Sequence, residues 1–193
     1  MLLCCHVEYD SDLLMRIMAL SLPERRKRAQ IIRNEKIRVT SLAAGLLLKY
    51  GLRQCGVKDF NIRYTESGKP YLSGHDLCFS LSHSGEYATC IIDNKAVGVD
   101  IQKIVAVSQR AVSRFCTEEE RQYLNDSGDY RRDVIRLWAL KESWLKAAGK
   151  SAADMFNATF TLRGDGTADG PEGFLYRLYE DIPDYILAVC QSK

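Results

Sequence analysis

The sequence predicts an α+β protein built from two similar halves, 1–95 and 96–193, each a long helix packed on a mainly antiparallel sheet. Three observations lead there. Short runs with period-two alternation, separated by Gly, Pro, Asn and Asp turns, mark antiparallel strands. Two longer runs with helical periodicity stand near residues 37–51 and 133–148. The order strand, short helix, long helix, three strands occurs twice, without obvious sequence identity between the copies, which suggests two α+β halves of about 95 residues each. A ligand site is expected in the seam between them.

In chain order, LLCCHVEY reads as a strand and SDLLMRIMAL as a short helix with Ser11 as its cap. A basic helical stretch begins at Pro23 and runs towards Asn34. The run from Ile37 to Gly51 is a mostly buried helix whose only polar strip is Arg38, Ser41, Gly45 and Lys49, and Gly51 is its expected terminator. FNIRYT, LCFSLS and YATCIID follow as strands, joined by the turns ESGKP and HSGE. After Asp93-Asn94-Lys95 the pattern restarts with the strand AVGVDI and the short helix SQRAVSRF. TEEERQYL is a helix with Thr117 and Glu120 as a capping box. A long helix from Asp133 to Ala148 is closed by Gly149, and NATFTL, FLYRLYE and YILAVC supply the last three strands.

Composition narrows the class. With 46% hydrophobic and 27% charged residues, the chain of 193 residues has enough apolar material for packed cores. No apolar run approaches the roughly 20 residues that span a bilayer, and MLLCCHVEYD lacks a basic signal-peptide start. A cytoplasmic protein without a membrane partner is expected. Seven cysteines, none in a C-x-x-C pair, argue against disulfides and a zinc site. The net charge of +2 divides into 14 Lys/Arg against 10 Asp/Glu in residues 1–96 and 13 against 15 in residues 97–193. That asymmetry is too small for a nucleic-acid surface but leaves room for a local anion site in the first half.

Four places hold polar residues that packing alone does not require. On the long helix, Val134, Leu137, Trp138, Leu145 and Ala148 form an apolar arc, yet Lys141 falls in its middle and Glu142 at its edge beside Trp138 and Ile135. A surface pair of Glu142 with Lys146, one turn on, accounts for Lys146 but not for the place of Glu142. In VGVDIQ, strand alternation puts Asp100 and Gln102 on one face, either solvated or offering oxygens to a cation together with Glu142 approaching across the seam. FSLSHSG places Ser82 and His83 at a strand end; no cysteine or acid nearby makes a nucleophilic triad. ESGKP places Lys69 in a turn. Lys69 and His83, together with the run from Arg25 to Arg28, are enough cations to hold phosphates.

The ordered set S-G-K-P, S-L-S-H-S, G-V-D-I, F-x-T-x-x-E and W-x-x-K-E-S-x-x-K resembles the 4′-phosphopantetheinyl transferases of the surfactin-synthetase-activating type, from about Pro23 to Lys150. The resemblance implies a pseudo-twofold α+β fold and transfer of the 4′-phosphopantetheine arm of coenzyme A to a serine of an apo acyl or peptidyl carrier protein. It implies that Asp100 and Glu142 bind Mg²⁺ or Mn²⁺, with Gln102 where many relatives carry glutamate, and that Glu142 serves as the base. Lys146 would neutralise the attacked phosphate, and Lys141 would support Glu142 in the cleft. Lys69, Ser82 and His83 would hold the phosphates, completed by Arg38, Arg25 and Arg28. A monomer is expected.

Two rival readings follow from the same residues. A non-catalytic module that keeps the fold and binds coenzyme A and carrier proteins is favoured only by Gln102. A nucleic-acid surface along Arg25–Arg38 lacks the aromatic residues that stack on bases.

Overall fold

Two long helices organise the chain. They are α3 (Glu35–Gln54) in a first compact unit, Met1–Lys95, and α6 (Tyr130–Ala148) in a second, Ala96–Lys193. The computed structural model describes residues 1–193.

In the first unit, β1 (Leu2–His6) leads into α1 (Ser11–Leu20) and α2 (Pro23–Gln30), which precede α3. Asp10, not Ser11, caps α1: its carboxylate accepts a hydrogen bond from the Leu13 amide at 2.6 Å. After α3 come β2 (Asn61–Tyr64), β3 (Pro70–Ser73), β4 (Cys78–Ser84) and β5 (Tyr87–Asp93). β1, β5 and β4 form an antiparallel sheet in that order, and β2 and β3 form a separate hairpin. α3 lays Leu48 and Leu52 against Phe79, Cys90 and Ile92 of the sheet, while Val39, Leu42 and Ala44 bury against Ile17 of α1 and Ala29 of α2. Gly51 does not terminate α3, which runs on to Gln54. It is instead a packing glycine: a Cβ there would lie 2.6 Å from Cδ1 of Ile92.

In the second unit, β6 (Val97–Lys103) is followed by α4 (Gln109–Val112), α5 (Glu118–Asn125) and α6. The expected capping box is present on α5, and Gly149, at φ 67°, closes α6 in the left-handed conformation that glycine adopts without strain. The NATFTL run, expected to be a strand, is mostly not one. A 3₁₀ helix covers Ala152–Asn157, and only Thr161–Leu162 pairs as β7. Within the run, the carbonyl oxygen of Ala158 accepts from Lys141 and the amide of Phe160 donates to Glu120, so side chains take backbone groups that a neighbouring strand would pair. β8 (Thr167–Asp169), β9 (Phe174–Tyr179) and β10 (Tyr185–Ser192) complete an antiparallel sheet in the order β6-β10-β9-β8-β7.

The two sheets follow one plan. In each unit the first strand pairs with the last, and the last with the one before it. Each unit therefore has the expected α+β composition. Both also carry a strand the sequence did not announce, β3 and β8.

α6 lies unusually close to β6. A Cβ on Gly98 would collide with the carbonyl oxygen of Ser143 and lie 2.6 Å from the amide nitrogen of Ala147, both backbone atoms of the helix. Gly98→Ala must therefore separate strand from helix. It is expected to cost about 2–3 kcal/mol or more in urea unfolding, whereas Gly128→Ala, with open space around it, should fall within about 0.5 kcal/mol of wild type. A neutral Gly98→Ala would show that the contact gives way.

Candidate functional site

Because Gly98 brings β6 against α6, the side chains that follow on the strand meet those of the helix. Asp100 is 2% exposed, which rules out the solvated strand face. Its Oδ1 pairs with Nζ of Lys146 at 2.6 Å, and its Oδ2 accepts a hydrogen bond from Nε2 of Gln102 at 2.8 Å. Lys146 also donates to the carbonyl oxygen of Val99 at 3.1 Å. Lys146 is thus engaged by the strand, and the surface pair with Glu142 that helical spacing suggested does not form. Gln102 faces Asp100, as alternation required.

Glu142 lies one turn before Lys146 and is half-buried. Burial raises its carboxyl above the usual range, the nearby charge of Asp100 raises it further, and Lys146 opposes both. Asp100 and Glu142 are therefore electrostatic neighbours. They do not meet across a seam between halves: both belong to the second unit, on a strand and a helix packed together.

Lys141 requires a correction. It is fully buried and does not share the surroundings of Glu142. Its Nζ pairs with Oε2 of Glu120 at 2.9 Å and donates to the carbonyl oxygens of Met155, at 3.1 Å, and of Ala158. The physical reason is the helix itself. A step of 100° per residue turns Lys141 into the middle of the apolar arc and Glu142 to its edge. Glu120 also accepts from the backbone amides of Thr117 and Phe160, both at 2.8 Å, so its carboxylate is saturated. This ion pair escaped the sequence reading because the capping box already explained Glu120.

The cations expected to hold phosphates belong to the first unit. Arg25 lies along α3, where a Cβ on Gly45 would be 3.2 Å from its side chain. Its guanidinium donates to the carbonyl oxygen of Ser41 at 2.6 Å and to that residue's hydroxyl at 3.2 Å, and its buried Nε has no partner. The guanidinium of Arg28 lies 4.2 Å above the ring of Tyr64. Arg38 is used locally, donating twice to the carbonyl oxygen of Ile32, at 3.0 and 2.7 Å, and so fixing the α2–α3 connection. Lys69 sits in the β2–β3 turn, whose closure is marked by the Thr65 amide bonding the Lys69 carbonyl oxygen at 2.9 Å. On β4, Ser82 shares a face with Ser80 and Ser84, and His83 shares the opposite one with Phe79 and Leu81.

Two residues that matter here were not picked out in the sequence. A lone glycine in the strand pattern VGVDIQ is the usual sign of close backbone approach, and could have identified Gly98. Tyr64 carried no signal beyond its place in an alternating strand.

The oxygens that Asp100, Glu142 and Gln102 offer are hard donors of the kind Mg²⁺ or Mn²⁺ prefers, and the two crowded carboxylates would gain from a cation between them. A strand and a helix of the second unit thus bring two acids, an amide and a lysine together. The pattern of the 4′-phosphopantetheinyl transferase superfamily matches residues 96–190. A 4′-phosphopantetheinyl transferase of Bacillus subtilis is 31% identical over 92% of this chain and 84% of its own length. Another, named Sfp, from Bacillus subtilis strain 168, is 28% identical over the same shares. Holo-[acyl-carrier-protein] synthase from Neisseria meningitidis aligns with TM-score 0.43 and 20% identity over 51% of this chain and 97% of that one. The chain belongs to the 4′-phosphopantetheinyl transferases and is an enzyme of that family. No helix is long and apolar enough to cross a membrane.

The place of Lys141 can be tested by stability. Lys141→Ala leaves Glu120 buried without its cation and should cost about 3–5 kcal/mol. Lys141→Met combined with Glu120→Gln should recover part of that loss. A Lys141→Ala protein with unchanged melting but a higher KM for coenzyme A would return Lys141 to the substrate site.

Proposed function

We propose that this transferase uses Asp100, Glu142 and Lys146 as its catalytic group and the cations of the first unit as its grip on coenzyme A. The family's reaction moves the 4′-phosphopantetheine arm of coenzyme A onto a serine of an apo carrier protein and releases 3′,5′-ADP. The observation that carries the assignment is the Asp100 carboxylate, held by Lys146 on one oxygen and Gln102 on the other with Glu142 alongside.

Glu142 is the proton acceptor. It is the less buried of the two acids, so a carrier serine can reach it, and no lysine or arginine neutralises it by direct pairing. As the serine hydroxyl gives its proton to Glu142, its oxygen bonds to the phosphorus that bears the pantetheine arm, and the bond from that phosphorus to 3′,5′-ADP breaks. Lys146 supplies positive charge at the same place, and Asp100 keeps its ammonium aimed along the strand. Asp100, Glu142 and the Gln102 amide would hold a divalent cation, Mg²⁺ or Mn²⁺, which when bound offsets negative charge on the pyrophosphate oxygens. Arg25, Arg28, Lys69 and His83 grip phosphate, the 3′-phosphate included, and Ser82 adds a hydroxyl from the other face of β4. Arg38 serves the grip through the α2–α3 connection it fixes.

The partner is an apo acyl or peptidyl carrier protein, and the enzyme works as a cytoplasmic monomer without nucleic acid or membrane. A non-catalytic binding module is the weaker reading. The substitution that suggested it, Gln102, keeps its contact with Asp100, and the acid pair is intact.

Two variants test the assignment. Glu142→Gln should lower transfer to an apo carrier protein by about 10²-fold or more, read as loss of the mass gain on the carrier, while calorimetry still detects coenzyme A binding. Near-normal turnover would remove Glu142 as the base. Gln102→Glu replaces the 2.8 Å hydrogen bond to Asp100 with a like-charge contact. It should melt at a lower temperature without a divalent ion and need less Mg²⁺ for half-maximal rate. An unchanged Mg²⁺ requirement would place Gln102 outside the metal's reach.

A further inference from the structure

Arg25 and Arg28 are two guanidinium groups of the proposed phosphate grip, both on α2, and neither holds a carboxylate. Arg25 finds only the carbonyl and hydroxyl oxygens of Ser41, and Arg28 only the ring of Tyr64. They lie one helical turn apart on α2, where two like charges repel. Something other than an ion pair must hold them in register, and two devices are visible. Gly45 leaves a notch on α3 in which the stem of Arg25 lies. Tyr64 presents its ring face to Arg28 at 4.2 Å.

Tyr64 also has a second connection. It is the last residue of β2, paired with Pro70, and the turn that follows it carries Lys69. That turn is closed by the amide of Thr65 on the carbonyl oxygen of Lys69, at 2.9 Å, and by the amide of Gly68 on the carbonyl oxygen of Thr65, also at 2.9 Å. One aromatic residue therefore ties the helix bearing Arg25 and Arg28 to the turn bearing Lys69.

We propose that Tyr64 is a positioning residue that sets the enzyme's preference for coenzyme A over its 3′-dephospho form, by stacking under Arg28 and fixing the α2 cations against the Lys69 turn. The inference rests on the phosphate-holding role assigned above to Arg25, Arg28 and Lys69. Tyr64 acts through the α2 cations and not on the reacting atoms, so its effect belongs in KM and not in kcat. A flat aromatic face suits this task because a guanidinium stacked on it keeps its in-plane N–H groups free for phosphate oxygens. A carboxylate at position 64 would occupy them.

The test compares coenzyme A with 3′-dephospho-coenzyme A as substrates for an apo carrier protein. Tyr64→Ile keeps strand propensity and removes the ring. It should raise KM for coenzyme A roughly three- to tenfold, with kcat and the KM for the dephospho form little changed. Tyr64→Phe keeps the ring and should restore the wild-type ratio. Should Tyr64→Ile fail to fold, Tyr64→Leu is measured in its place. Arg28→Ala should lower the preference as Tyr64→Ile does, and the double variant should lose little more than Arg28→Ala alone. An unchanged KM ratio in Tyr64→Ile, with Arg28→Ala strongly affected, overturns the role of Tyr64. An unchanged ratio in Arg28→Ala itself overturns the underlying assignment of Arg28 to phosphate.

Discussion

The meeting of Asp100 with Lys146 depends on one missing atom group. With hydrogen in place of a side chain at Gly98, the backbone of β6 comes against that of α6 at Ser143 and Ala147. Two residues on, the same strand delivers Asp100 to the helix surface, where Lys146 reaches both its carboxylate and the Val99 carbonyl oxygen. A helix held off by even one methyl group would have to stretch that lysine further. Interiors pack densely enough that such a displacement cannot be absorbed locally. The contact at Gly98 is thus a condition for the acid centre, although Gly98 has no chemistry of its own.

The step from Lys141 to Glu142 shows how a helix allots neighbouring charges to different tasks. Lys141 goes to the core, where Glu120 and two carbonyl oxygens satisfy its ammonium, and its partner anchors the start of α5 and the amide of Phe160. The buried pair ties the turn before α5, the middle of α6 and the segment around Met155 to Phe160 into one network. Such a pair contributes specificity of arrangement more dependably than net stability, since desolvation offsets much of its attraction. Glu142, 100° further round, sits beside Asp100 instead.

Much of this was legible beforehand, for identifiable reasons. The capping box at Thr117 and Glu120, the closure of α6 by Gly149 and the shared face of Asp100 and Gln102 are local rules, and local rules can be read from sequence. The paired acids drew notice because charges at the border of an apolar arc need a reason. What escaped notice depended on partners distant along the chain. The acid that pairs with Lys141 lies 21 residues away, behind a capping role that by itself accounts for Glu120. Gly51 was read as a terminator because nothing in IRVTSLAAGLLLKYG says that Ile92 will press on it. The expectation that Asp100 and Glu142 meet across the seam failed for another reason: the boundary at 95/96 already puts both in the second half, whose first strand packs on that unit's own long helix.

The division of chemistry between the units explains why bulk composition said so little. Net charge differs by only a few units between the halves, yet the kinds of site differ sharply. In the first unit, arginines are left without acids, supported by a carbonyl oxygen, a notch at Gly45 and an aromatic face. In the second, one buried acid takes a lysine, and burial, with the charge of Asp100 nearby, raises the carboxyl of the other. Uncompensated cations are an investment in binding an anion, and crowded carboxylates in binding a metal or a proton. Neither is visible in a sum of charges, because both consist in which partner each charge has been denied.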